Sequence, residues 1–235
     1  MIIKRDEAFM AVCELRTKDV VGTGMFVSSP VGSNSFNGWI VTASHVANDT
    51  DDSTEIIIST REGKAETLPL ILFGPLKWIH HSVADISVFQ IHFTSENESF
   101  MEGRFFPFDH FNLERIPVSR DYELTSIGFP HGLGTNGLFS PFTFRSYASS
   151  GFVTLQRADT KTDCIFFCLE NPSVGGYSGC PVFDLGYSYN GVLSISKGQT
   201  VCHGIMHGTI SDHTGGKIAM VTPAFYLNDL IHPIP

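Results

Sequence analysis

The sequence predicts an all-β protein, a sandwich or barrel built in two halves. Three observations carry that expectation. Short strand-like runs separated by turn residues recur along almost the whole chain. Helix signals are sparse. Phe, at home in sheet cores, occurs 20 times in 235 residues. In order, the first group of runs is "AFMAVCEL", "GTGMFVSS", "GWIVTAS", "TEIIIST", "LPLILF" and "ISVFQIHF". The second is "YELTSIGF", "FTFRSYASSGFVTLQ", "CIFFCLE", "CPVFD", "GVLSIS", "HGIMHGTI" and "KIAMVT". Between them, "EGRFFPFDHFNLERIPVSRDY" has weak periodicity, two prolines and mixed charge, and reads as a connection. The expected halves are 1–112 and 113–235. The tail "PAFYLNDLI" is the clearest helix signal: Pro223 suits a helix start, and Phe225, Leu227, Leu230 and Ile231 form an apolar face.

Composition narrows the function classes. With 42% hydrophobic and 17% charged residues the chain is an ordinary globular one, long enough to bury a substantial core. A net charge of −9 without any basic stripe argues against a nucleic-acid partner. No run of eighteen apolar residues exists to cross a membrane. In "MIIKRDEAFMAV" charges interrupt what a signal peptide needs as an unbroken apolar core, so no cleaved export signal is expected. The five cysteines (Cys13, Cys164, Cys168, Cys180, Cys202) are odd in number and unpaired in spacing. Reduced, buried thiols and a cytoplasmic location are therefore expected. Cys164 and Cys168 share a face of a β-like run, but zinc would need two more ligands, and no H-E-x-x-H pair is present. The acidic stretch "NDTDDSTE" departs from EF-hand spacing and reads as a solvated turn. Neither a metal nor any other cofactor is expected.

The segment "NPSVGGYSGCPVFD" interrupts a β-rich chain with Gly175, Gly176 and Gly179 around Tyr177 and Ser178. Glycines permit conformations and close approaches that a Cβ forbids, so such a turn can hold one hydroxyl on a tight elbow with backbone N–H groups pointing outward. Two other segments give Ser178 company. "GWIVTASHVA" ends a strongly β-forming run with His45, and "HSVADISVFQI" sets Asp85 just before another apolar strand. The chain order His, Asp, Ser is one of the three orders used by serine hydrolases, and it belongs to the two-barrel architecture.

These segments, with "GGYSGCPVF", "GIMHG", "TSIGFPHG", "SSGFVT" and "IAMVTPA", resemble the chymotrypsin-like (trypsin-fold) serine peptidases, in the compact bacterial and HtrA-type branch. The resemblance runs from about Gly22 to Ala224. It implies two six-stranded antiparallel Greek-key barrels packed at a cleft, with His45 and Asp85 on the first, Ser178 on the second and a short C-terminal helix. It further implies that His45 is the general base, that Asp85 orients it, and that Ser178 is the nucleophile of an endopeptidase working through an acyl-enzyme. Backbone N–H groups of Gly176 and Ser178 would face the oxyanion. Of the other histidines, His80 and His81 sit before Asp85, while His110, His131, His203, His213 and His232 lack the strand-end context; most of these read as solvent or packing residues. Cys180 heads into the following strand and reads as a small buried hydrophobe.

The sequence also departs from trypsin. Tyr177 precedes the nucleophile where trypsin has the aspartate that receives a newly cut N-terminus, so activation by N-terminal cleavage is not expected. By alignment the pocket wall draws on Pro172, Ser173, Val174 and Gly175, on Met206, His207, Gly208 and Thr209, and on 218–222 with Ala219 among them. Pro172 stands where trypsin-like enzymes carry a carboxylate, which speaks against cleavage after Lys or Arg. Neighbouring strand residues face opposite sides, so Met206 and His207 cannot both line the pocket unless a bulge intervenes. The Met206 register, an apolar pocket, is favoured over a His207 register suited to a polar or acidic side chain. Substrate polypeptide would add a strand along His207 to Thr209. The alternatives are a catalytically silent binding module on the same fold, and a protease kept inactive until a separate protein regulator binds. HtrA-type relatives often carry a PDZ domain, and no residues remain in this sequence for one.

Overall fold

The computed structural model describes residues 1–231 apart from 34, 190–192, 197 and 212. Gly191 and Val192 of one expected strand, and His232, lie outside the described residues. The first eight strands are β1 (Val12–Arg16), β2 (Val21–Val31), β3 (Ser35–Thr42), β4 (Glu55–Ser59), β5 (Ala65–Pro69), β6 (Trp78–His80), β7 (Ser87–Ile91) and β8 (Phe106–Pro107). They form one sheet in the order β5-β4-β1-β2-β3-β7-β6, with β8 pairing β2 in parallel. The second sheet is built from β9 (Leu124–Gly128), β10 (Phe142–Ser146), β11 (Val153–Gln156), β12 (Asp163–Leu169) and β13 (Pro181–Asp184), then β16 (Val201–Ser211) and β17 (Lys217–Pro223). Its order is β10-β9-β13-β16-β17-β12-β11. A separate ribbon pairs β14 (Tyr187–Tyr189) with β15 (Ser194–Ser196). The fold is the expected all-β pair of antiparallel sheets, with eight and seven strands where six each were expected. Short pieces such as the two-residue β8 and three-residue β6 make up part of the difference.

Alternation along the strands explains why the runs are apolar on nearly every residue. In β2, Phe26 enters a core inside the first sheet with Ile40, Phe73 and Phe89. Its neighbours Met25 and Val27 face the other way, into a core shared with Ile127, Phe129, Phe166, Phe183 and Ile205 of the second sheet. A third core, with Leu124, Phe167, Tyr177, Val182 and Val221, lies within the second sheet. The shared core is where the two sheets meet, and the candidate residues lie along that junction. Both termini clasp the opposite half. Ile3 donates its N–H to Thr200 Oγ1 at 2.7 Å, and Asp229 reaches His81 Nε2 at 3.0 Å.

Three segments differ from the sequence expectation. Residues Arg5–Met10 form the helix α1, because Glu7 caps the Lys4 N–H at 2.9 Å; the strand begins only at Val12. "LPLILF" leaves the sheet at Pro69, and Leu70–Phe73 is a 3₁₀ turn that buries Leu70 and Phe73. The C-terminal helix is present as a 3₁₀ segment, Ala224–Asp229. There four consecutive residues, Ala224 to Leu227, are buried, a pattern that does not suit the one-sided stripe of an α-helix.

Candidate active site

Strand pairing brings the first two candidates together. Strand β3 runs antiparallel to β7 with Thr42 opposite Ser87, so the end of one lies beside the start of the other. Three residues beyond Thr42, His45 sits in the first turn of the helix α2 (Ser44–Asn48); two residues before Ser87 comes Asp85. A tight turn aims the aspartate: Val83 and Ala84 both donate N–H groups to His81 Nδ1, at 3.1 and 2.8 Å. Asp85 is fully buried. Its Oδ1 accepts the His45 backbone N–H at 3.0 Å and its Oδ2 accepts His45 Nδ1 at 2.8 Å. The imidazole is thus fixed with Nε2 as its free nitrogen. Ser87 and Ser44 brace the turn through a 2.8 Å hydroxyl pair, and His80 joins Ser87 at 2.7 Å.

Ser178 lies on the loop between β12 and β13, and Thr23 of β2 grips that loop on both sides of the hydroxyl. Thr23 Oγ1 donates to Gly176 O at 2.9 Å, and the Thr23 N–H donates to Ser178 O at 2.8 Å. Gly179, at φ +86°, explains its own glycine. A Cβ there would stand 2.1 Å from Thr23 O, 2.2 Å from Thr42 Oγ1 and 3.1 Å from Ala43 N. The nucleophile loop therefore presses against the strand end two residues before His45. The Ser178 hydroxyl donates to His207 O at 3.3 Å, not to the imidazole of His45.

The neighbouring glycine shapes the backbone. Gly176 has φ +88°, and a Cβ would fall 2.3 Å from Phe129 O and 2.7 Å from the His131 nitrogen. The preceding carbonyl, Gly175 O, accepts the His131 N–H at 2.7 Å. In a trans peptide the N–H points opposite to the carbonyl, so this bond turns the Gly176 N–H away from His131. Neither that N–H nor the Ser178 N–H meets a protein acceptor among the described residues. Tyr177 is fully buried, stacked on Phe144 at 4.7 Å, with its hydroxyl donating to Phe142 O at 2.8 Å.

Asp85 receives two further donors, both from the second sheet. His207 Nδ1 bonds Oδ2, and Arg157 Nη2 reaches Oδ1 at 3.2 Å. The His207 ring is placed by a β-bulge: pairing with β17 skips from Met206 to Gly208, which sends His207 toward Asp85 and Met206 into the core beside Tyr177. Its Nε2 accepts the Ala158 N–H at 3.3 Å, so the ring is the Nδ1–H tautomer. Arg157 also donates to Val83 O at 3.0 Å and clamps Asp159 through two bonds, at 3.0 and 2.6 Å. Burial by itself would raise the Asp85 carboxyl, but the hydrogen bonds from His207 and His45 overcome it and hold the group well below the usual carboxylate range. Burial pushes His45 down, and the hydrogen bond and charge of Asp85 more than reverse this, leaving its imidazole above its ordinary value. The ligand-bearing atoms of His45, Asp85 and His207 lie within 4.8 Å of one another, so they are also the residues that could approach a metal. At 2.8 Å, His45 Nδ1 and Asp85 Oδ2 are at proton-sharing distance, shorter than the ~3.3 Å that tetrahedral zinc at ~2.0–2.1 Å from its ligands imposes. The cluster is built as a hydrogen-bond hub.

Residues 22–189 match the family model described as "trypsin-like peptidase domain". The chain belongs to the trypsin-like peptidase family. No curated protein sequence matches significantly. Among solved structures, the inactive form of an alanine mutant of Rv3671c from M. tuberculosis is 14% identical, covering 98% of this chain and 92% of that one at TM-score 0.60. The MamO protease domain of Magnetospirillum magneticum, also 14% identical, covers 96% and 98% at TM-score 0.60. The active form of the M. tuberculosis Rv3671c protease is 13% identical, covering 97% and 82% at TM-score 0.60.

Beside the family's motif lies a cavity of about 420 Å³ lined by Ser178, Ser173, Val174, Gly175, Gly208 and Thr209, together with His131, Ser211 and Lys217. Of the expected wall residues, Met206 and Ala219 are instead buried in the core of the second sheet, and Pro172 is exposed outside the lining. His207 is turned to Asp85 and lines a neighbouring cleft with His45. The bulge thus removes both readings of the pocket, since neither Met206 nor His207 faces it. Sequence reasoning missed Thr23, Arg157 and Lys217. Arg157 carried one signal, the polar turn "RADT" after a strand; Thr23 and Lys217 carried none. Among the other histidines, His131 lines the cavity and His110 bonds Thr200 O at 2.8 Å. All five cysteines are free and buried, and among the described residues no helix is long and apolar enough to cross a membrane.

Proposed function

We propose that this chain is a serine endopeptidase in which His45, Asp85 and Ser178 form the catalytic triad, on two barrels divided at about residue 112. A serine hydroxyl is a poor nucleophile at neutral pH, so its proton must leave as it attacks. In the proposed reaction Ser178 Oγ leaves the His207 carbonyl for His45 Nε2, which takes the proton while Oγ bonds the scissile carbonyl carbon. The oxyanion forms against the N–H groups of Gly176 and Ser178, each such donor being worth ~3 kcal/mol of barrier. Protonated His45, stabilised by Asp85, then gives its proton to the leaving amine, and water hydrolyses the resulting ester by the same route in reverse. Substrate backbone would pair with β16 beyond Met206, where its pairing with β13 has ended.

The observation that carries this reading is Asp85, buried and ionised, holding the imidazole by ring and backbone while Thr23 presses the Ser178 loop against the same strand end. The first residues have another role than activation. The Met1 carbonyl accepts the Thr200 N–H at 3.1 Å, and Tyr177 fills its own niche, so no new N-terminus is needed. The test is fluorophosphonate labelling followed by intact-mass analysis. We expect one adduct on Ser178 in the untrimmed chain, lost in Ser178→Ala and strongly slowed in His45→Ala. An unlabelled wild-type protein, or labelling only after the first residues are removed, refutes it.

A further inference from the structure

The wall of the 420 Å³ cavity has its polarity inverted. In the hairpin of β16 and β17, Thr209 lies opposite Ala219, Ile210 opposite Ile218, and Ser211 opposite Lys217. Strand alternation puts Thr209, Ser211 and Lys217 on one face, and these three line the cavity. The two isoleucines take the other face and are left 39% and 46% exposed. Both faces of this hairpin end reach solvent, but only its hydroxyls and ammonium line the cavity, on the face opposite the isoleucines. Thr209 Oγ1 donates to Ser173 O at 2.9 Å, tying the opposite walls together. Ser178 stands at the same cavity.

Charge sharpens the argument. Among the described residues, Lys217 makes no ion pair and no carboxylate lines the cavity. Among the described residues, this cationic recess beside Ser178 has no counter-charge, in a chain of net charge −9. We propose that Lys217 is the specificity-determining residue for an acidic side chain, glutamate or aspartate, on the acyl side of the cut bond. Ser173 and Ser211 supply hydroxyls around the carboxylate, and Lys217 supplies the charge. This inference rests on the endopeptidase reading above, but it assigns the acidic preference to a residue other than His207, whose ring is committed to Asp85.

The test uses peptides differing only at that position, Glu, Gln, Leu or Lys, with kcat/KM measured for each. A charge-assisted contact predicts that the Glu peptide is cut roughly ten- to a hundredfold better than the Gln peptide. Salt should shrink that ratio. Lys217→Ala should abolish the Glu-over-Gln ratio, and Lys217→Glu should turn the preference toward Lys. Binding of the same peptides to Ser178→Ala gives a second measurement that needs no turnover. Equal handling of Glu and Gln by the wild type, or an intact preference in Lys217→Ala, overturns the proposal while fluorophosphonate labelling still upholds the enzyme. Selective binding of the Glu peptide without labelling or cleavage would instead overturn the endopeptidase reading and keep the pocket assignment.

Discussion

Replacing His207 tests whether a second imidazole on Asp85 matters to the chemistry or only to packing. In His207→Ala, Asp85 loses one of four donors, the one from the second sheet to Oδ2. A hydrogen bond to a charged group contributes ~1.5–3 kcal/mol. At 1.36 kcal/mol per pKa unit, that raises the Asp85 carboxyl by ~1–2 units, which leaves it ionised at neutral pH. The ionised carboxylate, less shared, then pulls harder on His45. Since kcat/KM requires neutral His45, a higher imidazole pKa moves the acid limb of the rate profile to higher pH. The limb starts above the ordinary value of ~6.5, because Asp85 already raises His45. Asn and Gln dissect the ring. Asn places a donor where Nδ1 sits and leaves Ala158 unserved, so His207→Asn should restore the limb. His207→Gln reaches the position of Nε2, which accepts from Ala158 at 3.3 Å, and should not. All three variants should melt lower, by roughly 5–10 °C for a loss of 2–3 kcal/mol at this size. The reasoning fails if Ala lowers the melting temperature but leaves the limb in place, or if Gln restores it and Asn does not.

Two other outcomes follow from the geometry. Gly176→Ala puts a Cβ 2.3 Å from Phe129 O at φ +88°, so the peptide that aims the Gly176 N–H must turn. A kcat reduced about 10²- to 10³-fold with an unchanged circular dichroism spectrum is expected, and a loss under tenfold would mean that this N–H does not serve the oxyanion. His203 is pushed down to about 4 by burial. Its Nδ1 meets Asn112 Nδ2 at 3.3 Å while Nε2 is buried without a partner. Because the folded value lies below the unfolded one, the unfolded chain binds the extra proton, so this contribution is full above ~6.5 and is lost as pH falls toward 4. At 1.36 kcal/mol per unit it amounts to at most about 3 kcal/mol. Denaturant titrations of His203→Asn should show a flatter stability profile across that window than wild type, and an equally steep one would disprove the assignment.

What the sequence made legible was whatever depended on local pattern and chain order. The strand alternation of "GTGMFV" and "GWIVT", the glycines around Ser178, and the order His45, Asp85, Ser178 were readable because each is a short-range signal. What escaped depended on partners far along the chain. Arg157 meets Asp85 across 72 positions and Thr23 meets Gly176 across 153; the polar turn after a strand marks Arg157 but not its partner, and nothing marks Thr23. The pocket was misread for a related reason. Alternation assigns Met206 and His207 to opposite faces, but one bulge in β16 turns both away from the cavity, and a bulge leaves no trace in a run as uniform as "CHGIMHGT". Lys217 went unseen because a lysine near a hairpin end is ordinarily a solvated one. Its proposed meaning comes from the cavity it lines together with Ser178, a neighbour 39 positions away in the chain.

The way the two sheets are joined bears on whether such an enzyme needs outside help. The apolar core between them contains Met25, Val27, Trp39 and Val41 from one side and Ile127, Phe129, Phe166 and Phe183 from the other. Across the same seam, Asp85 draws its donors from both sheets, and removing one partner of a buried ion pair typically costs ~3–5 kcal/mol. Opening the seam would therefore expose a large apolar surface and strand a buried charge together. His45 is held by Asp85 through ring and backbone, and the Gly175–Gly176 peptide by the His131 N–H. On the proposed mechanism the Ser178 hydroxyl, 3.3 Å from the His207 carbonyl, must leave that partner, and a hydroxyl changes rotamer in picoseconds to nanoseconds. We therefore expect a regulator of the proposed enzyme to refold no loop in order to switch the chemistry on. It would have to act on access to the cavity beside Lys217, and its effect would appear in substrate affinity rather than in the rate of fluorophosphonate attack.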